Sequence, residues 1–170
     1  MKTTLSLAAA LVMSAAPLLA GEQYIDETGF AVSGFDVVAY RSLEQSSVGE
    51  AQPKAVPGLS SITADFNGAT FAFATEENKA AFEANPEFYV PEYDGHCAYG
   101  VSKGGKVPAN PHLWRIVDDK LYLNITKNVV GFWEEDISGN IDLATNNWPG
   151  IEGAEAATRT IPDFTSPAPK

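Results

Sequence analysis

The clearest pattern in the chain is a short alternation of apolar and polar residues folded about a turn. In Ala64-Asp65-Phe66-Asn67-Gly68-Ala69-Thr70-Phe71-Ala72-Phe73, two alternating runs flank Asn67-Gly68. Alternation sends successive side chains to opposite faces of a strand, so Phe71 and Phe73 share a face. Asn and Gly accept the positive φ angles of a type I′ turn, which predicts a β-hairpin. A helix is predicted next. Thr75 can cap its first turn, and Glu76 and Glu77 suit the positive end of its dipole. Ala81 and Phe82, with the later Phe88, form the apolar stripe. Pro86 disfavours helical backbone at Asn85, so the helix ends near Ala84 and a separate turn runs from Pro86 to Tyr89.

The pattern returns further on. Arg115-Ile116-Val117 and Lys120-Leu121-Tyr122-Leu123 read as strands joined by Asp118-Asp119. Lys127 to Glu135 reads as a helix with Val130 and Trp133 inward, and Asp142 to Trp148 as a final short helix. The two hairpin-then-helix units are loosely alike, without a repeat of solenoid period. Residues 24–62 are loop-rich. They hold a compact apolar motif, Gly34-Phe35-Asp36-Val37-Val38-Ala39-Tyr40, then a polar stretch from Arg41 to Lys54 expected as an exposed loop. After Pro149 large apolar residues become scarce, so 150–170 is expected as a flexible tail. The fold class is α+β: one small domain over 21–149, with two β-hairpins and short packing helices.

The first twenty residues change the setting. Lys2 precedes an Ala- and Leu-rich run from Leu5 to Leu19, and Ala20 is a small residue suited to cleavage. This reads as a signal peptide over 1–20 rather than a membrane anchor, because the run is short and Gly21-Glu22-Gln23 is polar. A periplasmic or secreted protein without membrane insertion is expected. The whole chain carries 11 Lys and Arg against 22 Asp and Glu, a net charge of −11. Such an acidic surface argues against nucleic acid and anionic membranes as partners. It suits a cation, or simply a solubilising coat.

Outside the cytoplasm a lone thiol stands out, since cysteines there are usually paired. Cys97 is the only cysteine, in Tyr93-Asp94-Gly95-His96-Cys97-Ala98-Tyr99-Gly100. It cannot form an internal disulfide. A thiolate with imidazole nitrogens suits copper or zinc. The candidate metal ligands are therefore Cys97, His96 and His112, with Asp94 and Glu92 as further donors. Adjacent side chains diverge on an extended strand, so Cys97 and His96 converge only if the chain bends, which Gly95 permits. A buried, inert Cys97 beside Ala98 and Tyr99 is the competing reading, since cysteine is among the most buried residues. His96 is then a surface or hydrogen-bonded histidine, and His112 in Asn110-Pro111-His112 hydrogen-bonds the backbone of a helix start or turn.

A family resemblance bears on the choice. Phe66-Asn67-Gly68-Ala69-Thr70-Phe71, Glu77-Asn78, Phe82, Asn85-Pro86-Glu87-Phe88-Tyr89 and Gly95-His96-Cys97-Ala98-Tyr99-Gly100 resemble exported bacterial YHS-domain proteins. So do Trp114 to Asn124 and the closing Asn147-Trp148-Pro149; the match spans roughly residues 30–149. The resemblance implies a small α+β unit of YHS type, related to metal-associated modules, with heavy-metal binding or sensing as the usual inference. Two departures qualify it. His96 stands where these relatives more often have Tyr, and without a second Cys a ribbon of several thiolates is impossible.

Three functions follow as expectations. The first is an exported soluble YHS-domain protein that binds copper or zinc through Cys97 and a nearby His. The second is a non-metal module, for a small ligand or a protein partner, in which Cys97 is structural and aromatics such as Tyr93 and Trp114 line a pocket for a small ligand or a haem edge. The third is a Cys–His thiol enzyme. It lacks a recognisable oxyanion loop, and adjacency in sequence does not create a dyad.

Overall fold

The computed structural model describes residues 23–166; the expected signal peptide lies outside the described residues. The chain is an α+β domain. Strands β1 (Leu59–Phe66) and β2 (Ala69–Phe73) form one antiparallel hairpin, and β3 (Asn110–Val117) and β4 (Lys120–Asn124) form another. Helices α1 (Glu76–Ala84) and α2 (Pro86–Tyr89) follow the first hairpin. Between the hairpins lies α3 (Ala98–Ser102), and α4 (Lys127–Glu134) and α5 (Ile137–Ile151) follow the second. Among the described residues no helix is long and apolar enough to cross a membrane.

The two halves are one design used twice. Pairing begins at Leu59↔Phe73, slips, and resumes at Thr63↔Ala72; 51 positions later Asn110↔Asn124, a slip and Trp114↔Leu123 repeat it. Thr75 Oγ1 caps α1 by accepting from Asn78 N–H at 3.1 Å, and Thr126 Oγ1 caps α4 by accepting from Val129 N–H at 3.2 Å. Both turns take left-handed backbone: Asn67 and Gly68 at φ 46° and 74°, Asp118 and Asp119 at 48° and 60°. Each half also opens with a left-handed triplet, Val32-Ser33-Gly34 (φ 50°, 53°, 77°) and Tyr93-Asp94-Gly95 (φ 56°, 53°, 80°). Glycine ends both triplets, since it alone takes such angles without a Cβ penalty.

After each triplet the chain turns into the core. Asp36 N–H donates to Val56 O at 2.9 Å, and Cys97 N–H to Val107 O at 3.0 Å, so Asp36 and Cys97 occupy matching places. Asp36 is fully buried. Its carboxylate accepts from the N–H groups of Val38 and Ala39 (2.9 and 3.1 Å), from Ala74 N–H (2.8 Å) and from Asn78 Nδ2 (2.7 Å). One side chain thereby fastens the apolar Gly34–Tyr40 motif to the end of β2 and the start of α1. Phe71, Phe73 and Phe82 meet beneath it, with ring centroids 4.9 and 5.0 Å apart.

Three regions differ from the sequence reading. The Arg41–Lys54 stretch is solvent-facing but pinned. Arg115 Nη2 lies 2.6 Å from Glu134 Oε1, both side chains buried, and the same guanidinium donates to the carbonyls of Ser46 and Ser47 at 3.1 Å. The final helix starts earlier and ends later than expected. Asp136 caps it through Gly139 N–H at 3.0 Å, and Pro149 sits in its last turn, where it cannot donate the helical bond to the carbonyl four residues back. The expected flexible tail is instead anchored where it is described. Ile161 is buried in the main core, Phe164 packs on Phe35 and His112, and Ala157 N–H donates to Lys106 O at 2.8 Å. Two apolar side chains three positions apart suffice to dock a segment otherwise poor in them.

Two outcomes check this packing. Phe82→Ala should lower the unfolding free energy by about 3–5 kcal/mol in urea denaturation, as an emptied aromatic core site does. Removal of residues 158–170 should lower it by about 2–4 kcal/mol, the scale of one buried Ile and part of a Phe. A truncated protein that melts like the intact one would restore the free-tail reading.

Candidate functional site

The sequence-predicted ligands occupy three separate settings. Cys97 is buried and precedes α3. Its Sγ accepts from Gly100 N–H at 3.4 Å and donates to Asn124 Oδ1 at 3.4 Å. Burial pushes the thiol above its ordinary value, opposed by backbone hydrogen bonds. It is a protonated cap in the core, where the matching position of the first half carries Asp36.

His112 braces a different set of segments. Its Nδ1 accepts from Ala55 N–H at 3.2 Å, so the proton sits on Nε2. The ring stands edge-on to Phe35 at 4.9 Å and Phe164 at 5.7 Å. Burial, then the Lys54 charge, holds it below the usual imidazole range.

His96 turns away from Cys97. Its Nδ1 donates to Tyr93 O at 2.9 Å, leaving Nε2 as a lone pair. Tyr24 stands edge-on to the ring at 5.3 Å, and Trp148 lies 6.0 Å away. Burial pushes its pKa down to about 4; the Tyr93 carbonyl opposes this, and the Lys106 charge adds to it. Among the described residues no group of three or more His, Cys, Asp or Glu side chains is placed to hold a metal ion.

What the fold does assemble is a polar site around Asp94, next to His96. Asp94 sits in the left-handed triplet, a conformation that costs a non-glycine residue about 1–3 kcal/mol and recurs at functional sites. The backbone there is held from outside: Tyr24 N–H donates to Asp94 O at 2.7 Å. Gln23 Nε2 donates to Asp94 Oδ1 at 2.9 Å. The remaining oxygen of each, Asp94 Oδ2 and Gln23 Oε1, is buried and has no partner. Among the described residues only Trp133 Nε1 is likewise buried and unpaired, so two of the three such atoms meet here.

Clefts open on both sides of Gln23. One, of about 430 Å³, is lined by Gln23, Tyr93, Asp94 and Trp148, with Glu87 and Glu92 at its wall. The other, of about 660 Å³, is lined by Gln23, Tyr24, His96, Lys106 and Glu152. Burial pushes the Asp94 carboxyl up to about 7, with Glu152 raising it further and Lys106 opposing. Two neighbouring groups are therefore shifted in ways that favour their neutral forms, a pattern concentrated at binding and catalytic sites. The sequence reading had named Asp94 as a donor but missed Gln23, Lys106 and Trp148. The only local clue was the carboxylate before Gly95; the rest join from distant segments.

Asp94 and His96 pull stability in opposite directions with pH. Asp94 is more easily protonated folded than unfolded, so its contribution is full below about pH 4 and is lost as pH rises through about 7. His96 resists protonation when folded, so its contribution is present above about pH 6.5 and is lost as pH falls towards 4. Asp94→Asn isolates the first effect. Urea melts should show the variant gaining on the wild type as pH goes from about 4 to about 8. A stability difference that stays flat with pH contradicts the assignment.

No family model, curated protein or solved structure matches the chain.

Proposed function

We propose that this is an exported, periplasmic or secreted binding module of YHS type, that it holds a small ligand in the cleft over Asp94, and that Cys97 is a structural cap. One observation carries the reading: two acceptor oxygens, on Asp94 and Gln23, are buried without partners beside an open cleft. A buried polar group left unpaired costs about 1–3 kcal/mol, and folded proteins rarely keep two such groups together. A ligand that pairs them recovers that cost on binding.

The copper or zinc reading asks more of the molecule. Cys97 would have to lose its proton and exchange Gly100 and Asn124 for the ion, and His112 would have to release Ala55. A thiol enzyme faces a similar obstacle, because burial holds Cys97 in its protonated, weakly nucleophilic form.

Two measurements test the proposal. A fragment screen followed by amide chemical shifts should give hits that cluster at Gln23, Tyr93, Thr145 and Trp148. Hits scattered over the surface, or none, defeat it. Titration with Cu(I) and Zn(II) under reducing conditions should leave wild type and Cys97→Ala indistinguishable, and iodoacetamide should label Cys97 only after unfolding. Tight metal binding by the wild type alone would instead install the metal site at Cys97.

A further inference from the structure

Resting on that reading, we infer that the ligand over Asp94 is an organic ammonium: a protonated amine carried on an aromatic or aliphatic body. The unpaired atoms decide the polarity. Gln23 Oε1 accepts hydrogen bonds, and Asp94 Oδ2 does so once the carboxyl is ionised, a form that burial disfavours and a neighbouring cation restores, so a positively charged ligand with N–H donors satisfies both. An anion leaves them unmet and adds like-charge repulsion.

The charges around the cleft favour a cation over a neutral donor. Among the described residues Glu87, Glu92 and Asp94 line it, and Lys120 is the only lining cation. Lys120 Nζ lies 3.2 Å from Glu92 Oε2, which leaves the other two carboxylates uncompensated by it. Lys106 stands on the far side of Gln23, donating to Glu152 O at 2.6 Å and resting 5.5 Å over the Trp148 ring. The same indole borders the cleft, with Tyr93 and Phe66. Aromatic faces attract cations and also cover an apolar body. A cleft of about 430 Å³ falls within the range of small-molecule sites.

A bare metal ion fits poorly. Calcium takes about six to eight oxygen ligands, and magnesium a near-ideal octahedron. One carboxylate oxygen and one amide oxygen fall far short, and among the described residues no cluster of metal-ligating side chains surrounds them. An ammonium group needs only two or three acceptors.

Gln23 supplies the mechanism of entry. Both residues line the cleft, both unpaired oxygens are buried, and the Gln23 amide donates to Asp94 Oδ1 at 2.9 Å. Its Nε2 occupies the role of the ligand's N–H. An ammonium enters by turning the Gln23 side chain aside and replacing that donor at Asp94, while Gln23 Oε1 becomes an acceptor for it.

Three probes that share a phenethyl body, tested on the full-length protein, decide the matter: phenethylammonium, phenethyl alcohol and hydrocinnamate, followed by calorimetry and amide shifts near neutral pH. Phenethylammonium should bind at least ten-fold more tightly than either of the others, with shifts at Gln23, Tyr93 and Trp148. Asp94→Asn should erase that preference; if the variant does not fold, the order of the three probes on wild type still decides. Equal binding of alcohol and ammonium at those residues overturns the ammonium class and leaves the cleft as a ligand site. Preferred binding of hydrocinnamate does the same. Failure of phenethylammonium to bind overturns the inference, and the cleft itself then stands or falls with the fragment screen.

Discussion

The fold depends on a carboxylate that is buried with no ion-pair partner among the described residues. Asp36 lies fully buried and is matched by four N–H donors from three segments: its own turn, the end of β2 and the first turn of α1. Charge-assisted hydrogen bonds of this kind are roughly twice as strong as neutral ones, and losing the acceptor would orphan several buried donors together. The apolar motif around Asp36, the first hairpin and the first helix are therefore one unit. Phe71, Phe73 and Phe82 fill the space that this fastening encloses.

The second half copies that arrangement with different chemistry. Cys97 stands where Asp36 stands, after the same left-handed triplet, and Asn124 supplies the acceptor that bridges Cys97 and Tyr99. The lone thiol is thus accounted for by local geometry. A small side chain is needed to cap a short helix in a dry place, and cysteine offers a weak donor and acceptor together. The chain ends complete the symmetry. The segment at Tyr24 lies on the second triplet and its neighbour His96, and the segment at Phe164 and Ser166 lies on the first triplet and its neighbour Phe35.

The halves diverge at the middle residue of the triplet. In the first half it is Ser33, whose carbonyl takes a bond from Ser166 Oγ. In the second it is Asp94, buried, partly unpaired and lining a cleft. Another segment of the chain bonds the middle carbonyl of each triplet, and only the second carries a carboxyl there.

Local physics made much of the architecture legible in the sequence. Asn67-Gly68 between alternating runs, Thr75 before two glutamates, and Pro86 after Asn85 act over a few residues, so the hairpin, the helix and its end follow from the order of residues alone. The α+β class and the apolar faces of Phe71, Phe73 and Phe82 follow for the same reason. The site did not. Sequence adjacency paired His96 with Cys97, but consecutive residues leaving a turn diverge: one ring packs against Tyr24 and Trp148, while the sulfur enters the core. Gln23, Asp94, Lys106 and Trp148 lie far apart along the chain, and only the packing of the N-terminal segment and α5 against the second triplet brings them together. Burial, which shifts Asp94 and His96 and strands two oxygens, is a property of that packing and not of any residue in the sequence.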